Sequence, residues 1–402
     1  MALIYSNPVS APFLPLPASA APSYAGQRAC STLILSCNYG GGHRSAAQAL
    51  SQWWAHGRSH WQVTVFDYFS RFVHPLYARA TEFSYVQSVR LFPPVYGFFY
   101  ELTANIPADS RTQQFINHLG KQSLLRYLRQ HPADLVACVH PTPAGALSDL
   151  KRDGLIDCQV ATVVTDLVIH SQWIHPYVDL YLVGSDCVRE GLIRRGIRPE
   201  RIRVTGIPIV PRFTEGVNRQ AARRQLRVRP ELPGVLVMVG AAGMIRKAID
   251  IYYAIEDLPV ELFFVCGQDQ HLRSRLRALT HGRPRFHVLG FVDNVPELMA
   301  ACDFMVSKAG GLTISEALAM ELPMLIYRPI PGQEHANRDY LVHVGAAVSA
   351  RNQRELRQRL IALCSNPGLL KRMRAAAHAV RRPYATEDAA RAMAALVEGV
   401  EP

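Results

Sequence analysis

At 402 residues, about half of them apolar, the chain has room for two or three domains, each with a sizeable core. A net charge of +12, from 44 Lys and Arg against 32 Asp and Glu, points to an anionic partner: a nucleotide sugar, an acidic membrane surface or nucleic acid. The eight cysteines form no C-x-x-C pair and several sit in apolar runs, which indicates a reducing compartment and argues against a disulfide framework or a zinc site.

Residues 1–28 are rich in Pro, Ala and Ser. They lack a basic start and a continuous apolar core, so a flexible extension is expected rather than a signal peptide. No run of about 18 apolar residues follows anywhere, so no spanning helix is expected. Residues 32–37 read as a strand. Gly40, Gly41 and Gly42 come next, then His43 and an Ala-rich helical stretch over 44–56. Strand, glycine turn, helix is the opening unit of an open α/β sheet. Such a turn lies at the carboxyl end of its strand, where these sheets bind ligands. His43 would then point into that crevice; on glycine spacing alone, a purely structural turn fits as well.

Further strands are predicted at 62–66, 135–139, 159–164, 180–184 and 202–205, with helical patterns at 111–130 and 187–195 between them. This alternation implies a mainly parallel sheet. Residues 66–100 interrupt it with twelve Phe and Tyr side chains in 35 residues, among which Arg71, Arg79 and Arg90 are interleaved. Aromatics with cations suit a water–lipid boundary or an acyl pocket; core aromatics under a helical insertion fit equally, and base stacking ranks below both. Two arginine clusters follow, at 189–203 and 219–229, each compatible with a solvated face or a membrane-facing patch. The Pro- and Arg-rich stretch 213–233 reads as a linker.

The second half repeats the layout. A strand and glycine turn cover 234–244, and a helix spans 245–256. Strands follow at 260–265, 286–289, 304–307 and 324–327, with helices at 269–280, 353–364 and 367–381. The expected architecture is α/β: two Rossmann-like lobes facing a cleft, at 29–212 and 234–382, with a C-terminal helix in 383–402 packing back on the first lobe.

The polar and glycine positions between Leu289 and Leu341 are not placed as a core would place them. Gly290, Phe291 and Val292 suit a flat base. Gly310 and Gly311 bring a turn and a helix start close to phosphate. Glu316 suits a vicinal diol such as a ribose. Gln333, Glu334 and Asn337, read as a loop, have the donors and acceptors for a sugar ring.

These stretches together resemble a known family. The GGGH turn, TDLVIHSQWIHP (165–176), TGIP (205–208) and the G-F-V … K-A-G-G-x-T-x-x-E … P-G-Q-E-x-x-N block are similar to the diacylglycerol glycosyltransferases of glycosyltransferase family 28. The likeness covers about residues 31–345. It implies the GT-B fold, a UDP-sugar on the second lobe, a lipid acceptor on the first, and inversion at the sugar. By motif it assigns Gly310, Gly311 and Thr313 to the diphosphate, Phe291 and Val292 to uracil, Glu316 to ribose, and Gln333, Glu334 and Asn337 to the donor sugar. Gly243 joins the donor side, although Ala241 and Ala242 make its turn less glycine-rich than in many relatives. Trp173 and His175, with the glycine turn, go to the acceptor side. His43 becomes the candidate base, which Asp166 either assists or replaces.

An inverting transfer needs a base near the attacking hydroxyl, which a His supplies, and help for the departing diphosphate, which helix N-termini and cations supply without a metal. The resemblance therefore implies a monotopic enzyme on the cytoplasmic face of a membrane. It would act on UDP-galactose or UDP-glucose and diacylglycerol, with an anionic membrane surface as partner, no nucleic acid and no cofactor. A transferase of N-acetylglucosamine to a lipid-linked precursor, a UDP-sugar epimerase, and a non-catalytic nucleotide- or lipid-binding protein are the alternatives.

Overall fold

The strands are short apolar runs buried on both sides: CSTLILS in β1 (Cys30–Ser36), LVAC in β3 (Leu135–Cys138), LYLV in β5 (Leu180–Val183). Such runs belong in parallel sheets covered by helices on both faces. The computed structural model describes residues 29–38, 41–57, 61–76, 110–238 and 245–400. The expected extension 1–28, most of the aromatic segment, Gly40, and the turn holding Gly243 lie outside the described residues.

The first sheet has the order β2-β1-β3-β4-β5-β6 and is parallel throughout. Its other strands are β2 (Trp61–Asp67), β4 (Gln159–Val163) and β6 (Ile202–Val204). Helix α1 (Gly41–Gly57) leaves β1 and returns to β2, while β3 lies on the other side of β1. The gap between β1 and β3 is thus the switch point, where such sheets hold ligands. Tyr68, Phe69 and Phe72, on the short α2 (Tyr68–Phe72), are core residues, so this part of the aromatic segment is interior. The helix expected over 111–130 is two, α3 (Arg111–His118) and α4 (Lys121–Gln130). Gly120 breaks it at φ +80°, a left-handed conformation that favours glycine, and the Tyr68 hydroxyl donates to Leu119 O at 2.6 Å beside the break. Helices α5 (Pro141–Arg152) and α6 (Asp186–Ile193) complete the first lobe.

The linker is not loose. It folds α7 (Arg219–Gln225) against α10 (Val295–Ala301), and its arginines converge on one carboxylate. Arg219 and Arg223 reach Asp303 at 2.6 and 3.4 Å, Arg374 joins at 3.2 Å, and the Gly234 amide donates at 2.9 Å. These two arginines are structural, and the reading of them as a membrane-facing patch is withdrawn.

The second sheet runs β12-β11-β10-β7-β8-β9, again all parallel. Its strands are β7 (Gly234–Met238), β8 (Glu261–Val265), β9 (Phe286–Leu289), β10 (Phe304–Ser307), β11 (Met324–Tyr327) and β12 (Ala347–Ala350). Here the switch point lies between β7 and β10. Helices α8 (Ile245–Ile255), α9 (Gln270–Leu279), α11 (Gly311–Ala319), α12 (Gln333–His343), α13 (Gln353–Ser365) and α14 (Pro367–Val380) cover its faces. The last helix, α15 (Ala385–Glu398), crosses back and buries Ala389, Ala390 and Met393 against Leu50 and Trp54 of α1. The crossing is fixed where Thr386 donates to Ile209 O at 2.5 Å and Gly206 (φ +93°) leaves no room for a Cβ beside Arg382. Leu167, Ile207 and Ile209 of the first lobe share a core with Met305, Leu312 and Ile326 of the second, so the lobes meet along the cleft floor.

Candidate active site

His43 stands in the first turn of α1, at the switch point of the first sheet. Its Nδ1 lies 2.6 Å from the carbonyl of Val139, just past β3. A carbonyl only accepts, so that hydrogen bond assigns the proton to Nδ1 and leaves a lone pair on Nε2. The Thr165 hydroxyl is 3.2 Å from the same Nδ1. The ring meets His140 edge-on at 4.9 Å and lies 6.5 Å from Trp173. Burial pushes the imidazole down to about 4, against the opposing Val139 hydrogen bond. It is therefore neutral across the physiological range, with Nε2 ready to take a proton.

Asp166 follows Thr165 and is half-buried. It accepts from Asn337 Nδ2 at 3.4 Å and from the Trp173 side chain. Burial nonetheless pushes its carboxyl up to about 6; Glu334 raises it further, and Lys308 and the two hydrogen bonds lower it. Trp173 is 3% exposed and His175 1%, because the 3₁₀ turn Ser171–Trp173 folds this stretch under α5. A Cβ on Gly145 of α5 would come within 2.8 Å of the His175 ring. His175 thus supports the wall from inside. His170 caps the same turn, its Nδ1 accepting from Gln172 N at 3.2 Å.

The facing wall is the turn from β10 into α11. Gly310 caps the helix with no side chain, leaving the backbone amides of its first turn to other partners. Gly311 permits the lobes to touch: a Cβ there would sit 2.0 Å from Thr165 O. Leu312 packs against Gly42. Thr313 is half-buried, one turn before Glu316, whose carboxyl burial pushes up to about 8. Phe291 is 76% exposed at the end of β9, and the neighbouring Gly290 backs onto the Arg273 guanidinium.

Gln333, Glu334 and Asn337 are not in a loop. They open α12, entered through Gly332 at φ +90°. Glu334 is buried, pairs with Lys308, and accepts from Ile330 N at 2.8 Å. Asn337 is fully buried and bonded to both lobes. Two cations border the site. Lys308 precedes Ala309 and Gly310, and Lys247 donates to Arg328 O at 2.5 Å, its ammonium pushed down to about 8 by burial. Among the described residues, no group of three His, Cys, Asp or Glu side chains is placed to hold a metal ion, and no helix is long and apolar enough to cross a membrane.

Both halves of the chain are matched by known proteins. The monogalactosyldiacylglycerol (MGDG) synthase family matches residues 43–209, and glycosyl transferases group 1 match 227–380. The processive diacylglycerol beta-glucosyltransferase of Bacillus cytotoxicus is 31% identical over 87% of this chain and 90% of its own length. The chain belongs to the diacylglycerol glycosyltransferase branch of glycosyltransferase family 28. Solved structures share its fold at low identity. Acinetobacter baumannii MurG has a TM-score of 0.61 at 17% identity, over 92% of this chain and all of its own. S. aureus MnaA with UDP has 0.63 at 14%, over 93% and 98%. The fold is GT-B, as expected.

In this family member, the structure gathers His43, Thr165, Asp166, Gly310, Gly311 and Asn337 where the lobes touch. Sequence reasoning missed Lys308, whose position directly before Ala-Gly-Gly was the available signal. It also missed Thr165, although that residue opens the TDLVIHSQWIHP motif, and the Val139 carbonyl, for which no signal existed: this partner of His43 is a backbone atom 96 residues away.

Proposed function

We propose that the chain transfers glucose or galactose from a UDP-sugar to the free hydroxyl of diacylglycerol, with inversion, giving a β-glycosyldiacylglycerol. The supporting observation is the His43–Val139 hydrogen bond. It fixes the neutral tautomer with Nε2 unprotonated, opposite the glycine-capped start of α11.

Nε2 takes the proton of the acceptor hydroxyl as its oxygen attacks the anomeric carbon from the face away from the diphosphate. The bond from that carbon to the diphosphate oxygen breaks, and its electron pair leaves with UDP. The α11 amides and the Lys308 and Lys247 ammoniums stabilise the charge that develops there. Glu316 receives the ribose diol, and Phe291 offers an uncovered ring to uracil. The Val139 carbonyl and the Thr165 hydroxyl, both against Nδ1, stabilise the imidazolium once it forms.

The protein works as a peripheral enzyme at the cytoplasmic face of a membrane. Arg194, Arg195 and Arg198, exposed at the end of α6, supply positive charge for an anionic surface. The test is incubation with diacylglycerol in anionic vesicles and UDP-glucose, UDP-galactose or UDP-N-acetylglucosamine in turn. Hexosyl-diacylglycerol from either of the first two supports the proposal. Lipid product only from the third, or donor turnover with no lipid product, rejects it.

A further inference from the structure

Asn337 has no atom exposed, and every polar group of its amide is used within the protein. Its Oδ1 accepts from Leu167 N at 2.9 Å; its Nδ2 donates to Ala309 O at 3.1 Å and to Asp166 Oδ1 at 3.4 Å. Two of these partners belong to the first lobe, and one to the glycine turn of the second. The contact is close on either side of it: Gly311 packs on Thr165 O, and Leu312 on Gly42. We infer that Asn337 is a lobe-bridging positioning residue, which holds Asp166 toward the cleft when the lobes are closed, rather than a contact to the donor sugar.

The inference rests on the proposed transfer only for its kinetic consequence. An amide suits this place because it accepts on one edge and donates on the other. A carboxylate at 337 would still accept from Leu167 N but would face Ala309 O and Asp166 with no proton to give. Asp166 is otherwise held by the Trp173 side chain and faces Glu334 and Lys308 from the donor lobe. Losing the Asn337 donor therefore favours its protonated form.

Trp173, one of four tryptophans, reports on Asp166 without any need for turnover. The difference in emission between the full chain and its Trp173→Phe variant is titrated with pH, in the wild-type background and with Asn337→Asp. A transition with a midpoint of about 6 is expected in the wild type and none in Asp166→Asn. In Asn337→Asp the midpoint rises by about one pH unit. If that variant fails to fold, Asn337→Ala, which removes the side-chain donors without adding charge, is expected to shift it in the same direction. An unmoved midpoint overturns the inference. In steady state, Asn337→Asp lowers kcat by about tenfold or more, with KM for UDP-glucose within about twofold. A raised KM at unchanged kcat makes Asn337 a sugar contact and also overturns it. A wild type that forms no glycolipid sinks the transferase reading instead, while the fluorescence titration still decides the role of Asn337.

Discussion

A burial-lowered histidine is a weak base, and that sets what its removal does. His43 is neutral at working pH, so it gains nothing for substrate binding by charge; in the proposed transfer its contribution falls in the proton-transfer step. His43→Ala is expected to lower kcat by about 10²–10⁴-fold while UDP binding, followed by calorimetry, stays within about twofold. Glu316 has the opposite character. Its carboxyl, pushed up to about 8, is largely protonated at neutral pH, yet a ribose diol donates best to the ionised form. With Glu316 as the proposed ribose contact, bound donor lowers its pKa, and by linkage donor affinity is expected to rise with pH through about 8 and to weaken below it. In Glu316→Gln the affinity is lower and this pH dependence is gone; a slope retained in the variant would place the titrating group elsewhere.

Among the elements, α11 and the strands before it carry the site. Gly311→Ala places a methyl where the Thr165 carbonyl lies, at 2.0 Å, so the lobes must separate. The expectation is a loss of transfer larger than any loss of melting temperature. Asp303 anchors the linker: Asp303→Ala leaves Arg219, Arg223 and Arg374 without their common partner, at a cost of about 1–3 kcal/mol read from denaturant unfolding, since two of the three guanidiniums are partly solvated. Most strands were legible in the sequence because they are short apolar runs between helical patterns, and the central ones are buried on both faces; β12, AVSA, was not, because it is short and small-residued with only its ends buried. Helix α12 was not. Pro331 and Gly332 look like a turn, and the residues after them are polar because they face Lys308, Ile330 and the other lobe rather than solvent. The bridge made by Asn337 spans 171 residues of sequence, so no local pattern encodes it. The turn before α11, by contrast, was readable as a turn: Gly-Gly after a buried strand has a local physical meaning, and Gly310 and Gly311 do open that helix where the lobes touch.

For the molecule as a whole, three histidines of the first lobe, the partly buried His43 and His140 and the fully buried His175, are held below their ordinary range by desolvation. In the unfolded chain each takes a proton near pH 6.5; in the folded lobe it resists doing so. Stability from these groups is therefore complete above about 6.5 and is lost as pH falls below it. His175 alone, 1% exposed and pushed to about 4, withdraws about 3 kcal/mol once the pH has fallen that far. The melting temperature is expected to drop between pH 7 and 5 by several degrees more than in His175→Gln, and equal drops would assign the acid lability to other groups.

The two sheets present their switch points to one cleft, and the chain crosses between the lobes twice, before β7 and again at α15. That arrangement makes a single prediction about the reaction. The full chain is incubated with a UDP-hexose and diacylglycerol in anionic vesicles, and the extracted lipid is analysed by mass and by the coupling of its anomeric proton. A hexosyl-diacylglycerol with the β configuration, absent when His43→Ala replaces the wild type, is the predicted result. An α-linked product, or undiminished product from His43→Ala, contradicts the account.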